Sequence, residues 1–289
     1  QGTRLSQNLL HDNQRPPFAS VLKGGMMSQD IFVEVGHGPT LIDNNIMLSD
    51  ASLRFATEGV ALVHNLICGA LTCVGGGTGP RYTPYHMPHR TEVMGFMTVL
   101  HGDDRFYNNI FVQKWPSDDI ITMHDSDDGF DTENRAAGTW MFDEYPTYDE
   151  WISQFDFSKP ADMAKLYGAH EGKLPVWIEG NAYLGGAKPS KKDVNALISA
   201  VAREDVRVEL VQKEDGYYLD TNVYELIEGF KNRMIDSDVL GKAFEPEERF
   251  ENPDGTAIRF DSDYFGTHRG VDVIPGPFAG AEEAAKVLY

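Results

Sequence analysis

The chain has 289 residues, 41% of them hydrophobic and 11% aromatic. That excludes a disordered segment or a small stapled peptide and leaves room for one large or two modest domains, each with a buried core. Asp and Glu number 45 against 25 Lys and Arg, a formal charge of −20, and such a field disfavours phosphate backbones and anionic lipid as partners.

The longest apolar runs, such as Val60 to Val63 and Ile110 to Val112, are far too short to cross a bilayer. Cys68 and Cys73 provide no disulfide framework, so a reducing, cytoplasmic setting is expected, with secretion left open. The opening residues from Gln1 already read as the middle of a fold, which predicts a processed or partial chain.

The first 125 residues are short β-branched runs punctuated by Gly, Pro, Asn and Asp, with no long window of period 3.6. A phrase recurs in them in which an apolar residue precedes Asn and two apolar residues follow. It centres on Asn8, Asn45, Asn65 and Asn109 and, more loosely, on Asn181, at spacings of 37, 20, 44 and 72 residues. One interval is a single coil of about 20 residues, and the others allow a coil with an inserted loop. A parallel β-helix accounts for this, because stacked coils bring one turn position into a column where each Asn amide bonds to the Asn above and below. Chance recurrence of Asn in turns and a jelly roll are the alternatives.

Beyond Trp115 the texture changes. Residues 118–135 read as an acidic loop, and 143–172 as aromatic and charged with short helical pieces. Asp193 to Glu204 places Val194, Leu197, Ile198 and Val201 at the spacing of an amphipathic helix. Val206 to Val211, Lys213 to Gly216 and Tyr217 to Leu219 read as strand, turn and strand. The tail from Phe244 to Phe278 reads as an extended segment packed on a neighbour. The expected fold is therefore mainly β, with parallel β-helix coils and inserted loops over 1–190 and a helix plus strand-rich region over 191–289.

Polar groups concentrate between residues 30 and 105. Glu34 and His37 lie beside Gly36 and Gly38, and Glu58 precedes Gly59. The Asn alignment stacks Glu58 near His37 on the next coil, and Glu34 precedes Glu58 by about one coil. Two carboxyls on adjacent rungs suit the roughly 5–5.5 Å separation of a retaining glycosidase. Tyr82, Tyr85, His86, His89, Arg90 and Glu92 form a Pro-stiffened stretch with the aromatic faces and forked polar groups that a sugar needs. His101 stands eight residues before Asn109, as His37 does before Asn45, which predicts a shared column; Asp103, Asp104 and Arg105 follow. The structural alternatives are solvated turn acids for Glu34 and Glu58 and a loop-holding ion pair for Asp103, Asp104 and Arg105.

Other signatures are poor. Gly75 to Pro80 lacks the Lys of a phosphate loop. Asp125 to Glu133 suggests a calcium loop with its Gly misplaced, and no nucleophile elbow or paired Cys–His is present. No cofactor and no metal is expected.

Phe-Val-Glu-Val-Gly-His-Gly-Pro-Thr-Leu-Ile-Asp-Asn-Asn-Ile from Phe32, Glu-Gly-Val-Ala-Leu-Val-His-Asn-Leu from Glu58, Thr83-Pro-Tyr-His, Gly102-Asp-Asp-Arg-Phe-Tyr-Asn-Asn-Ile-Phe and Pro175-Val-Trp-Ile-Glu-Gly-Asn-Ala-Tyr together resemble right-handed parallel β-helix proteins related to the β-xylosidases of glycoside hydrolase family 120. The resemblance covers most of the chain and implies retaining hydrolysis of xylo-oligosaccharides by an Asp nucleophile and a Glu acid/base, in enzymes much longer on the N-terminal side. Glu58 is the acid/base candidate, with Glu92 second; Glu34 and Asp43 are the nucleophile candidates. His37, Tyr82, Tyr85, His86, His89, Arg90, His101, Asp103, Asp104 and Arg105 are the expected substrate-binding residues. The expected partner is an oligosaccharide, with homo-oligomerisation left open. A non-catalytic carbohydrate-binding or structural β-helix and a polysaccharide lyase are the alternatives.

Overall fold

A computed structural model describes residues 2–13, 29–74, 82–124, 132–160 and 173–289. The chain passes repeatedly through three sheets in one order. The first pass contributes β1 (Thr3–Ser6), β2 (Leu9–Leu10) and β3 (Ile31–Glu34). The second contributes β4 (Thr40–Asp43), β5 (Ile46–Met47) and β6 (Ala51–Ala56), and the third β7 (Val60–Val63), β8 (Leu66–Ile67) and β9 (Ala70–Val74). A hairpin of β10 (Tyr82–Tyr85) and β11 (Gly95–Thr98) interrupts before β12 (Asp104–Tyr107) and β13 (Ile110–Val112). After β14 (Ile121–His124) and β15 (Thr132–Ala136), the chain returns through β16 (Val176–Glu179), β17 (Ala182–Leu184) and β18 (Leu197–Ile198).

Sheet one runs β1-β4-β7-β12-β16 and sheet two runs β2-β5-β8-β13-β17-β18, parallel throughout. Sheet three runs β3-β6-β9 in parallel and continues through β15 and β14 antiparallel. Parallel pairing of this extent is incompatible with a jelly roll, whose sheets are antiparallel.

The strands bury both faces, as parallel strands usually do. Ile42, Leu62, Phe106 and Ile178 point into a central core with Phe55, Phe111, Phe142 and Tyr183. Leu41, Ala61 and Tyr107 point outward and are covered by Ile235, Leu240, Ala243, Phe250, Ile258 and Phe260 of the tail. The outer face of sheet two is covered by Val208, Leu219, Val223, Tyr224 and Phe278. The antiparallel pair β19 (Val208–Lys213) and β20 (Gly216–Thr221) falls where strand, turn and strand were expected.

The Asn column forms as its spacing requires. The side-chain amide and backbone N–H of Asn8 both donate to Asn45 Oδ1, at 2.9 and 3.0 Å, and Asn45 donates in the same way to Asn65, Asn65 to Asn109 and Asn109 to Asn181. Asn181 closes the column on Asp193 Oδ2 at 3.1 Å. Each Asn follows a residue in the left-handed region: Gln7, Asn44, His64, Asn108 and Gly180. The turn is thus repeated in conformation as well as in residue type.

Two expectations are corrected. Asp193 to Glu204 is not a helix: the N–H groups of Val194, Leu197 and Ser199 donate to Ile178, Asn181 and Tyr183 carbonyls at the edge of the solenoid, and Val194 and Ile198 are each 64% exposed. An edge offering unpaired carbonyls outcompetes a weak helical periodicity. Within 118–135, expected as a loop, β14 and β15 extend sheet three. Of the short helical pieces expected over 143–172, one occurs at Tyr148–Ile152, the turn at Trp140–Glu144 only reaches the start of that range, and residues 161–172 lie outside the described residues. The Gly75–Pro80 segment lies outside the described residues, as does most of the Asp125–Glu133 stretch. No helix among the described residues is long and apolar enough to cross a membrane.

Candidate functional site

Residues just before β4, β7 and β12 form a column of close rungs. Glu58 bridges Gly102, the Glu58 N–H donates to Gly36 O at 3.2 Å, and the Gly59 N–H to Gly102 O at 3.2 Å. A Cβ on Gly102 would lie 2.4 Å from Leu174 O, so the next rung approaches too closely for any side chain there. In the adjoining column His101 bridges Lys173, and the Thr57 hydroxyl donates to the Gly36 carbonyl at 2.6 Å and accepts the Gly36 N–H at 3.1 Å.

Glu58 is fully buried; its Oε2 accepts the Leu100 N–H at 2.6 Å, and its Oε1 has no hydrogen-bond partner. Three more buried carboxyls surround it. Asp103 accepts from the Phe244 N–H at 2.8 Å and pairs with Arg105 Nη1 at 3.0 Å. Asp104 accepts from the Val60 N–H at 3.2 Å. Glu245, from the tail, is 6% exposed, and its Oε2 is also without a partner. Burial drives the Glu58 carboxyl well above the ordinary carboxylate range, and the negative charges of Glu245, Asp103 and Asp104 push it further against the one N–H that favours the anion. Asp104 is raised well above its usual value and Asp103 is raised, both mainly by burial, with Arg105 opposing. Burial, then the charge of Asp103, pushes Glu245 up to about 7.

An apolar layer encloses this cluster. Leu100, Trp151 and Leu174 pack together with Phe155 and Phe244, and the Trp151 and Phe244 rings meet edge to face at 5.2 Å. Arg105 fastens the tail to the coil: its Nε donates to Leu240 O at 2.6 Å and its Nη2 to Lys242 O at 2.7 Å. The guanidinium lies 4.5 Å from the Trp177 ring centre and 4.8 Å from that of Phe250. Chemically, the arrangement favours the protonated form of Glu58 inside a buried, negatively charged site, the condition of a carboxylic acid that donates its proton.

The structure thus brings together Glu58, Asp103, Asp104 and Arg105 from the expected set. His37 is buried nearby, with burial lowering its imidazole pKa against the carbonyls of Thr98 and Met97. The expected rung pairing of Glu34 with Glu58 is not formed: Glu34 is opposite Ala56 and exposed, whereas Glu58 is enclosed. Asp43 is held by Arg4 through two bonds of 2.8 and 2.9 Å. It pairs with Val63, five residues beyond Glu58, which is roughly 16 Å along a strand, too far for a pair with Glu58.

The hairpin residues stand apart from the acids. Glu92 is exposed and its carbonyl accepts from His86 Nδ1 at 3.1 Å; Arg90 is exposed, Tyr82 is 54% exposed and Tyr85 half-buried. His89, in a left-handed turn, pairs with Glu251 at 2.8 Å beside a recess of about 250 Å³ that Arg4, Pro39 and Glu248 also line. Sequence reasoning misses Glu245 and the covering Leu100 and Phe244. The single cue is an aromatic followed by an acidic run, Phe244-Glu245-Pro246-Glu247-Glu248, with nothing local to tie it to Glu58. Among the described residues, no three His, Cys, Asp or Glu are grouped to hold a metal ion.

No protein-family model matches the chain, and no curated protein matches it. A solved structure of XylC in complex with xylose is similar to it, with a TM-score of 0.74 and 29% identity over 96% of this chain and 37% of that one. The chain therefore spans little more than a third of that protein's length, and its strand-rich body of parallel sheets is similar to a part of a protein solved in complex with xylose.

Proposed function

We propose that the chain is the catalytic-coil portion of a retaining glycoside hydrolase, a β-xylosidase releasing xylose from non-reducing ends, built on a right-handed parallel β-helix. The observation that carries the reading is the carboxyl of Glu58: buried among three other acids, which favours its protonated form, and with one oxygen free of partners, in a chain similar to the xylose-bound XylC. The repeated passage through three sheets and the Asn column support the β-helix.

In this mechanism Glu58 donates its proton to the glycosidic oxygen as the bond to the anomeric carbon breaks, and then, as a carboxylate, takes a proton from the attacking water. The attacking carboxylate must reach the anomeric carbon. Glu34 is exposed and lies two residues before Gly36, whose carbonyl accepts the Glu58 N–H, and is the first candidate. Asp43, held at both oxygens by Arg4, is the second. His37 and His101 would supply contacts nearer Glu58, and Tyr82, Tyr85, His86, His89, Arg90 and Glu92 outer contacts to a longer substrate.

The test is release of a coloured phenol from a panel of aryl glycosides by the full chain. Glu58→Gln should lower turnover of an aryl β-xyloside by about a hundredfold or more, and NMR of the first product should show retained configuration. Full turnover by Glu58→Gln removes it from the mechanism, and absence of release from every glycoside by the unaltered chain favours a carbohydrate-binding role.

A further inference from the structure

The tail turn that carries Glu245 is locked to the rungs that carry Glu58 by four separate contacts. The Ala243 N–H bonds to Glu248 O at 2.9 Å and closes the turn, which Lys242 and Arg249 bridge. A Cβ on Gly59 would meet Ala243 Cβ at 3.3 Å, so the turn lies directly on the residue after Glu58. The Phe244 N–H donates to Asp103, and Arg105 grips the carbonyls of Leu240 and Lys242. Glu245 is the next residue after these anchors. Its unpartnered Oε2 and the unpartnered Oε1 of Glu58 are two buried acceptor atoms in one water-poor cluster, an arrangement that is costly unless a proton resides there.

We propose that Glu245 is a positioning residue for Glu58: the two carboxyls form one unit, supplied by the coil and the tail together, that holds a single proton at neutral pH. The reading of Glu58 as the acid underlies this. Two carboxyls that share a site cannot both ionise, so one keeps its proton while the other takes the charge. Glu245, raised only to about 7, is the one that ionises, and its charge keeps the proton on Glu58, the more deeply buried of the two. The other charged groups facing the pair among the described residues are Asp103, Asp104 and Arg105, on and beside β12. Asp103 is paired with Arg105 at 3.0 Å, and the charge of Glu245 acts on Glu58 more strongly than those of Asp103 and Asp104. The tail turn from Lys242 to Arg249 is then part of the proton-donating apparatus as well as packing.

The experiment follows the side-chain carboxyl carbons of Glu58 and Glu245 by NMR titration in the full chain and in Glu245→Gln, alongside the pH profile of aryl xyloside turnover in each. Glu245→Gln should make Glu58 titrate at lower pH and move the basic limb of kcat/KM in the same direction, and Glu245→Asp should restore much of the original position. An unchanged Glu58 titration in folded Glu245→Gln overturns the pairing. The titration needs no turnover, so an inactive chain in which Glu58 still responds to Glu245 sinks the hydrolase reading and leaves the pairing standing. If Glu245→Gln does not fold, two separate carboxyl titrations in the unaltered chain that show no mutual dependence overturn the proposal.

Discussion

Replacing Asn65 by Ala removes the central member of the Asn column. Its side-chain amide donates to Asn109 Oδ1 at 2.9 Å and Ile42 O at 2.8 Å, and its Oδ1 accepts from the backbone and side chain of Asn45 at 3.0 and 3.1 Å. All of these groups are buried, so the truncation leaves the Asn45 backbone N–H without its acceptor and takes one bond each from the Ile42 carbonyl, the Asn45 amide and Asn109 Oδ1 where water does not reach. At about 1 kcal/mol of net stability per bond, the loss is about 4 kcal/mol, a large part of the roughly 5–15 kcal/mol typical of a whole domain. Asn8→Ala is the matched control. Asn8 is exposed and its amide makes two bonds, to Asn45 Oδ1 and Ser6 O, at 2.9 and 3.1 Å, so about 1 kcal/mol is expected there. Urea unfolding followed by far-UV circular dichroism, compared at matched m-values, reads the difference. Equal midpoint shifts for the two variants would refute the idea that the column is a stabilising ladder whose value grows with burial.

Arg105→Lys keeps the charge but loses the planar fork that reaches Leu240 O and Lys242 O and lies over Trp177 and Phe250. A cost of about 3 kcal/mol follows from two charge-assisted bonds, and the tail turn from Lys242 to Arg249 should become the first segment cut by limited proteolysis; an unchanged cleavage pattern counts against the clamp. Stability should fall as pH rises from about 4.5 towards 7. Glu245 binds its proton more tightly in the folded state, about 7 against an ordinary 4.5, so its contribution is complete below the lower value and is lost as pH passes the upper one. Glu58 and Asp104 act in the same direction, as does Asp193, which burial raises to about 6. Urea midpoints at pH 5 and pH 8 check this, and Glu245→Gln should flatten part of the decline.

The column of Asn8, Asn45, Asn65, Asn109 and Asn181 was legible in the sequence because a solenoid repeats its environment. Each coil needs the same left-handed residue followed by the same amide, so the demand is written into the chain at every turn. The membership of Glu58, Asp103 and Asp104 in one cluster follows from the same register. What the register does not encode is which side of a rung is covered. The burial of Glu58 depends on a tail segment that returns from far along the chain, whereas Asp43 is occupied by Arg4 of the neighbouring coil. Phe244 and Glu245 reach the site only because Arg105 and Asp103 hold the tail there, and the 193–204 segment becomes an edge strand because the last coil offers it unpaired carbonyls. Local repetition thus determined the coil and its columns, whereas long-range packing, which sets desolvation and so the protonation of each acid, was decided by the tertiary structure alone.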